Sequence, residues 1–460
     1  MSGTLGPRVV VAGTHSGVGK TTVATGLMAA LARRGRSVGA AKVGPDYIDP
    51  GYHALATGRP GRNLDPWLCG AEAVPGLAGR AAMGCDLLVI EGVMGLFDGA
   101  AGFDGAAGPP AVASTAHVAV LLDAPVILVV DASSMSGSVA ALVHGYLTFD
   151  PGVRVAGVIL NRVASDSHEA MLRGALAPLP VPVLGVLRRD PLLTWRDRHL
   201  GLVPVVEQPG EVRLALDRLA AAVAAGCDLA AVEELARSAP PRAVAGPNRP
   251  RRPPADPVRV AVAAGPAFSF AYPDNGEALR DAGAELVPFD PLVAESLPAD
   301  VAGLVAGGGF PEVFAAELAH NRPLLADVRR RVEAGLVTWA ECGGLLWLSR
   351  SLDGSAMAGV LACDARMTDV LTLGYRAGGV AVDSPLGPAG TPIRGHEFHY
   401  SAVSPAGDAV TTSGRTGEAT GGFAGPTLLA SYLHLHLGAA PDLAECFVAT
   451  AGRYAATVGR

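Results

Sequence analysis

The 460-residue sequence predicts a two-domain α/β protein in which parallel sheets are covered by helices. Two observations lead there. Short apolar runs alternate along the chain with helical stretches rich in Ala, Leu and Arg. One composition shift divides them: Ala239–Pro257 holds seven prolines and four arginines, offers almost nothing to a core, and reads as a stiff extended linker. The parts on either side, residues 1–238 and 258–460, are each long enough to bury a core of their own.

The remaining totals narrow the class of function. A hydrophobic share of 50% excludes a disordered or fibrous chain, and a net charge of −7 leaves no general basic field for nucleic acid or an anionic membrane. Any phosphate site must therefore be local. The longest apolar stretch, His117 to Val130, is interrupted by Asp123 and falls short of the roughly 20 residues that span a bilayer. The opening residues lack an export pattern, so a cytoplasmic protein is expected. Six scattered cysteines without paired spacing argue against disulfides and a zinc site. Lysine is almost absent: Lys20 and Lys42 stand against 34 arginines. Codon bias explains the rarity, and such drift spares only lysines that arginine cannot replace.

In the first half, Val9 to Ala12, Leu87 to Glu91, Val126 to Asp131 and Val155 to Leu160 read as strands buried on both faces. The chemistry is expected at their carboxyl ends. After the first strand comes "THSGVGKTT", and then a helical stretch. In that setting Ser16, Gly17, Gly19, Thr22 and their neighbours cradle phosphate with backbone N–H groups, Lys20 reaches the terminal phosphates and Thr21 holds Mg²⁺. Gly13 and Gly19 have five residues between them instead of the usual four, a variant of the phosphate loop. The second lysine opens "KVGPDYIDPGYH", where Asp46 and Asp49 are either turn formers or ligands. Glu91 ends a buried strand, where an acidic residue completes a Mg²⁺ shell, and Asp98 follows on a glycine-rich loop. Asn161 ends the fourth strand with an amide that suits an adenine edge and equally suits a turn.

The runs "GTHSGVGKTT", "KVGPDYIDP", "EGVMGLFDG" and "NRV" together resemble the synthetase domain of cobyrinic acid a,c-diamide synthases, a relative in fold of dethiobiotin synthetase. The resemblance implies that ATP activates a carboxylate as an acyl phosphate, which ammonia converts to an amide. It also implies that Lys20 and the loop hold phosphates, that Thr21, Asp46 and Glu91 hold Mg²⁺, and that Asn161 holds the adenine. Tyr47, Asp49 and Asp98 would line the tetrapyrrole side, with Lys42 near the transferring phosphate or the substrate carboxylate. The competing class is a partitioning-type ATPase switch carrying a degenerate second domain. Its extra loop lysine is missing, because His15 stands at that place.

In the second half, Val258 to Ala264, Gly303 to Ala306 and Val337 to Ala340 read as strands. "WAECGGL" runs from a strand into Cys342 and two glycines, an elbow that exposes the sulfur while the next N–H groups face an oxyanion. Gly307, Gly308 and Gly309 follow another strand and offer the second donor, so Gly308, Gly309 and Gly343 are the expected oxyanion residues. "SYLHLH" supplies His434 and His436, placed on one side of a strand. With "AGGGFPE" and "GHEFHYS", these motifs resemble the class I glutamine amidotransferase domain of cobyrinic and cobyric acid synthases. By that resemblance Cys342 attacks glutamine and His434 is its base. The family's orienting Glu, two residues after the histidine, is replaced by His436, so the third member must be absent or come from elsewhere. His396, Glu397 and His399 are expected to shape the pocket.

The expectation is a glutamine-hydrolysing ligase that uses ATP with Mg²⁺ to amidate the a and c acetates of cobyrinate or hydrogenobyrinate, with ammonia channelled between its sites. Cobyric acid synthase and sirohydrochlorin a,c-diamide synthase are the alternatives within the class. Whether the ring carries cobalt, and whether the protein is a homodimer, the sequence leaves open.

Overall fold

A computed structural model of the protein describes residues 3–100, 111–190, 197–198, 201–202, 209–244, 256–415 and 417–458. The chain forms two compact units, Met1–Pro247 and Asn248–Arg460. Most of the expected linker, residues 245–255, lies outside the described residues. Its beginning is no linker: Arg242–Val244 pairs antiparallel with β1 (Gly3–Leu5), and Val244 is buried.

The first unit is built on a seven-stranded, fully parallel sheet. Its strands are β2 (Arg8–Gly13), β3 (Val38–Val43), β4 (Arg62–Leu64), β5 (Leu87–Glu91), β6 (Val126–Asp131), β7 (Val155–Val163) and β8 (Val183–Arg188). They lie in the order β4-β3-β5-β2-β6-β7-β8. β2 and β5 are buried throughout, as continuous Val, Ile and Leu demand of strands covered on both faces. Helix α1 (Lys20–Arg33) follows β2 and is buried nearly all round, so its Ala-rich sequence lets sheet and neighbouring helix approach closely. α2 (Asp49–Thr57) starts with Pro50 in its first turn and stops at Gly58 in a left-handed conformation. β3, β4 and β8 were not foreseen. β3 reads VGAAKV, with too few β-branched residues to announce a strand.

The second unit carries a six-stranded sheet in the order 284–289, 258–263, 303–306, 337–341, 428–431, 423–425, parallel except for its last pair. A second, mixed sheet is dominated by antiparallel pairing of Asp364–Val380 with Pro392–Ser404, and this sheet was also unforeseen. The short strand His434–Leu435 joins its edge, opposite Gly395 and His396. No described helix is long and apolar enough to cross a membrane.

Candidate active site

The phosphate loop is shaped by one glycine and one asparagine. Gly19, the residue before α1, has φ 94°, a region that a side chain disfavours, and a Cβ there would meet Asn161 Nδ2 at 2.3 Å. Asn161 Nδ2 donates to Val18 O at 2.8 Å, and its Oδ1 accepts from Arg162 N at 2.9 Å. Both ends of the amide are thus engaged by backbone, and the residue braces the loop, while its second N–H and the second lone pair of Oδ1 are what an adenine contact would use. Ser16 and Gly17 are exposed, while Thr21 and Thr22 are half-buried at the start of α1. Lys20 is buried and donates to His15 O at 3.2 Å. Burial, helped by Lys42, pulls its ammonium down to about 8, a cost that a bound phosphate would relieve.

Four segments converge behind this loop. Lys42 Nζ, at the end of β3, donates to Asp49 Oδ2 at 2.5 Å, Glu91 Oε1 at 2.8 Å and Gly92 O at 3.2 Å. Thr21 Oγ1 donates to Glu91 Oε1 at 2.6 Å and lies 3.4 Å from Asp49 Oδ2. Burial works against the Lys42 charge, yet Asp49 and Glu91 raise its pKa. Burial also opposes the Glu91 charge, but Lys42 and His53 hold its carboxyl well below the usual range. Asp49 moves the other way, raised by burial and by Asp46 and Glu91.

Asp46 sits differently from its expected role. Its Oδ1 accepts from Ile48 N and Asp49 N, closing the turn into α2, and it is Asp49 that approaches Thr21. Asp98 is exposed and its Oδ2 accepts from Gly95 N, while Tyr47 is half-buried in the turn after Asp46. Two residues escaped the sequence reading. His53 Nε2 bonds Glu91 Oε2 at 2.6 Å, and its place four residues after Asp49 on one helix face was the available signal. Asn63, in β4, ties down the same turn through Gly44 O and Asp46 O.

Among the described residues no three His, Cys, Asp or Glu side chains form a metal cluster. A cation here must complete its shell from Thr21, phosphate and water. Hard oxygens from Thr21, Asp49 and Glu91 fit Mg²⁺, which keeps several waters and few protein ligands.

In the second unit the strand Val337–Glu341 delivers Cys342, buried, with φ 47° and ψ −98°. A non-glycine residue there stores about 1–3 kcal/mol of backbone strain, the cost of a sharp turn between strand and helix. Cys342 N donates to Ser431 O at 2.8 Å, and Gly344 N to Gly307 O at 3.0 Å. The thiol acts on His434, which is buried. Burial would lower the imidazole, but Cys342 and Glu341 raise it to about 10.

Of the three expected oxyanion residues, Gly343 lies close to Gly309, whose N is 3.1 Å from a Cβ built on Gly343. Gly308 is corrected: its N–H donates to Phe270 O at 3.2 Å, so it cannot also hold an oxyanion. Gly308 supplies room instead, since a Cβ there would lie 2.4 Å from the His434 ring.

His436 does not stand beside His434 on the strand, which stops at Leu435. Its ring centre lies 4.6 Å from that of Tyr272, with Nε2 4.0 Å from Asp274 Oδ2. His396 stacks on His434 with ring centres 5.0 Å apart, and Tyr272 Oη is 3.3 Å from its Nδ1. Arg376 Nε donates to Glu397 Oε2 at 2.9 Å, and His399 stacks on Tyr432.

Comparison with known proteins agrees with both units. Residues 9–203 match the CobQ/CobB/MinD/ParA nucleotide binding domain, and residues 259–441 the CobB/CobQ-like glutamine amidotransferase domain. The chain is 52% identical to a hydrogenobyrinate a,c-diamide synthase of Streptomyces coelicolor, over 97% of this chain and 98% of that one. It is 49% identical to one of Mycobacterium bovis, over 96% and 97%. It is 42% identical to a cobyrinate a,c-diamide synthase of Synechococcus sp., again over 96% and 97%. With a nucleotide-binding unit, a glutamine amidotransferase unit and these relatives along nearly its full length, the chain belongs to the family of hydrogenobyrinate and cobyrinate a,c-diamide synthases.

Proposed function

We propose that the protein is a glutamine-dependent ligase that amidates the a and c acetates of hydrogenobyrinate. The observation that carries this reading is the presence of two reaction centres in one chain, a phosphate loop with Lys20 and a cysteine elbow with His434. The more similar relatives, at 52%, 49% and 47% identity, bear the hydrogenobyrinate name, which favours the metal-free ring over cobyrinate. The same relatives favour this reading over cobyric acid synthase, sirohydrochlorin a,c-diamide synthase and a partitioning ATPase.

In the glutaminase unit, Cys342 attacks the glutamine amide carbon while His434 manages the proton and passes it to the departing ammonia. A thioester remains, and water releases glutamate from it. N–H groups of Gly309 and Gly343 are the donors proposed for the oxyanion. In the nucleotide unit, loop amides and Lys20 hold the phosphates of ATP, and Thr21, Asp49 and Glu91 would hold Mg²⁺. That ion, when bound, neutralises charge on the transferring phosphate. Lys42, fixed by Asp49 and Glu91, is placed to receive the substrate carboxylate or the moving phosphoryl group. The carboxylate takes that group to become an acyl phosphate, ammonia attacks the carbonyl, and phosphate leaves. Ammonia must arrive unprotonated, so a protected transfer between the two reactions belongs to this proposal.

The test is mass spectrometry of the purified protein with ATP, Mg²⁺, glutamine and either ring. Two successive acid-to-amide mass changes on hydrogenobyrinate support the reading, and change on cobyrinate alone refutes the substrate. Cys342→Ala is expected to abolish glutamine-driven amidation yet leave ammonium-driven amidation intact. Loss of both would sink the two-centre scheme.

A further inference from the structure

His434 needs a partner that orients it, and the residue two positions later, His436, is turned toward Tyr272 and Asp274. A carboxylate reaches His434 from another direction. Glu341 ends the strand Val337–Glu341, directly before Cys342, and is 4% exposed. Its Oε1 accepts from Leu435 N at 2.8 Å, and its Oε2 lies 3.7 Å from His434 Nδ1. One carboxylate therefore holds the backbone just after the histidine by a hydrogen bond and faces the ring nitrogen at ion-pair distance. Neighbouring residues on a strand normally point to opposite faces. Here the positive φ of Cys342 breaks the alternation, so Glu341 and Cys342 both meet the same imidazole.

We propose that Glu341 is the positioning residue of the glutaminase centre, holding His434 by Nδ1 and leaving the other ring nitrogen for the Cys342 proton. This rests on the proposed glutaminase reaction. A base held in one tautomer and orientation by a buried carboxylate is the general logic of a three-membered nucleophilic centre. What is particular to this chain is the source, a residue adjacent to the nucleophile. The strained elbow gains a second task, since it both exposes the sulfur and swings the carboxylate to its partner.

The groups around His434 leave no equal alternative. From the elbow come Cys342 and Glu341; from the strand Pro392–Ser404 come His396, Glu397 and His399; His436 belongs to its own segment. The three histidines offer no negative charge. Glu397 is a second carboxylate among the described residues there, and its charge is taken by Arg376 at 2.9 Å. The elevation of His434 to about 10, where Cys342 and Glu341 outweigh burial, agrees with this assignment.

The experiment uses the full-length enzyme with glutamine and with ammonium as nitrogen donors, comparing Glu341→Gln, Glu341→Asp and Glu397→Gln. Glu341→Gln should lower glutamine-driven kcat by about 10²- to 10⁴-fold, with KM for glutamine little changed and the ammonium-driven rate intact. Removing the charge releases the His434 proton more easily, so the alkaline limb of glutamine-driven kcat/KM should move to lower pH. Glu341→Asp should recover part of the rate and of the limb. Glutamine-driven kcat within about twofold of wild type would overturn the proposal. So would equal loss with both donors, which marks a structural role, or an equal limb shift in Glu397→Gln. Should Cys342→Ala still use glutamine, the glutaminase reading itself fails, an outcome separate from all of these.

Discussion

Two stacked, buried imidazoles in the glutaminase unit are held in different states. His434 is raised, against burial, by Cys342 and Glu341, whereas His396 is pushed well below its ordinary value by burial and by His434 and His436. Stability supplied by His434 is present below the unfolded value of 6.5 and disappears as pH rises through about 10. His396 and His399 act at the other end. Their folded pKa values are depressed, so the unfolded chain takes up the proton first and stability falls as pH drops below 6.5. For His399, pulled down to about 4 mainly by burial, the loss between pH 6.5 and 4 amounts to about 3 kcal/mol. Urea unfolding midpoints over that range should therefore fall less steeply in His399→Gln than in wild type, and parallel curves would refute the assignment.

At the scale of elements, both centres depend on backbone turning sharply at a strand end with little room beside it. Gly344 shows the constraint: a Cβ there would lie 2.2 Å from Ala306 O, a backbone atom that cannot simply rotate away. Gly344→Ala should cost about 1–3 kcal/mol of stability and move the helix Gly343–Leu348 away from its strand. Glutamine-driven turnover should then drop while ammonium-driven turnover stays, measured beside denaturant unfolding; unchanged glutamine use would mean that the elbow tolerates displacement. The same scale shows what a sequence can announce. β2, β5 and β6 each hold a run of three to five Val, Ile or Leu, a pattern that a doubly covered strand requires, and they were legible. β3 carries Lys42 yet is mostly Gly and Ala, and Asp364–Val380 alternates through half-exposed positions without a continuous apolar run. Neither pattern separates a strand from a loop. The motifs singled out Cys342, Lys20 and Glu91 as candidates, because loop and elbow are local in sequence. His53 and Glu341 were not legible, because each meets its partner 38 or 93 positions away in sequence.

At the scale of the whole molecule, the two chemistries share no residue, so each ligand should stabilise the unit that holds its own centre. ATP at about 100 times its Kd adds about 2.7 kcal/mol to a folded state that alone binds it. Hydrogen exchange should register that gain in the amides of β2 and α1, lose it in Lys20→Arg, and leave Val337–Leu348 unchanged; an equal gain in both would mean that the units open together. The scarcity of lysine has a bearing at this scale too. Both side-chain amines, Lys20 and Lys42, are buried at one centre, 8% and 4% exposed. Acylating reagents, aldehydes and amine-directed crosslinkers thus have no lysine to take on the rest of the surface. A lysine adduct found anywhere along this polypeptide is therefore a report on the buried centre of Lys20 and Lys42, which bound nucleotide is expected to shield.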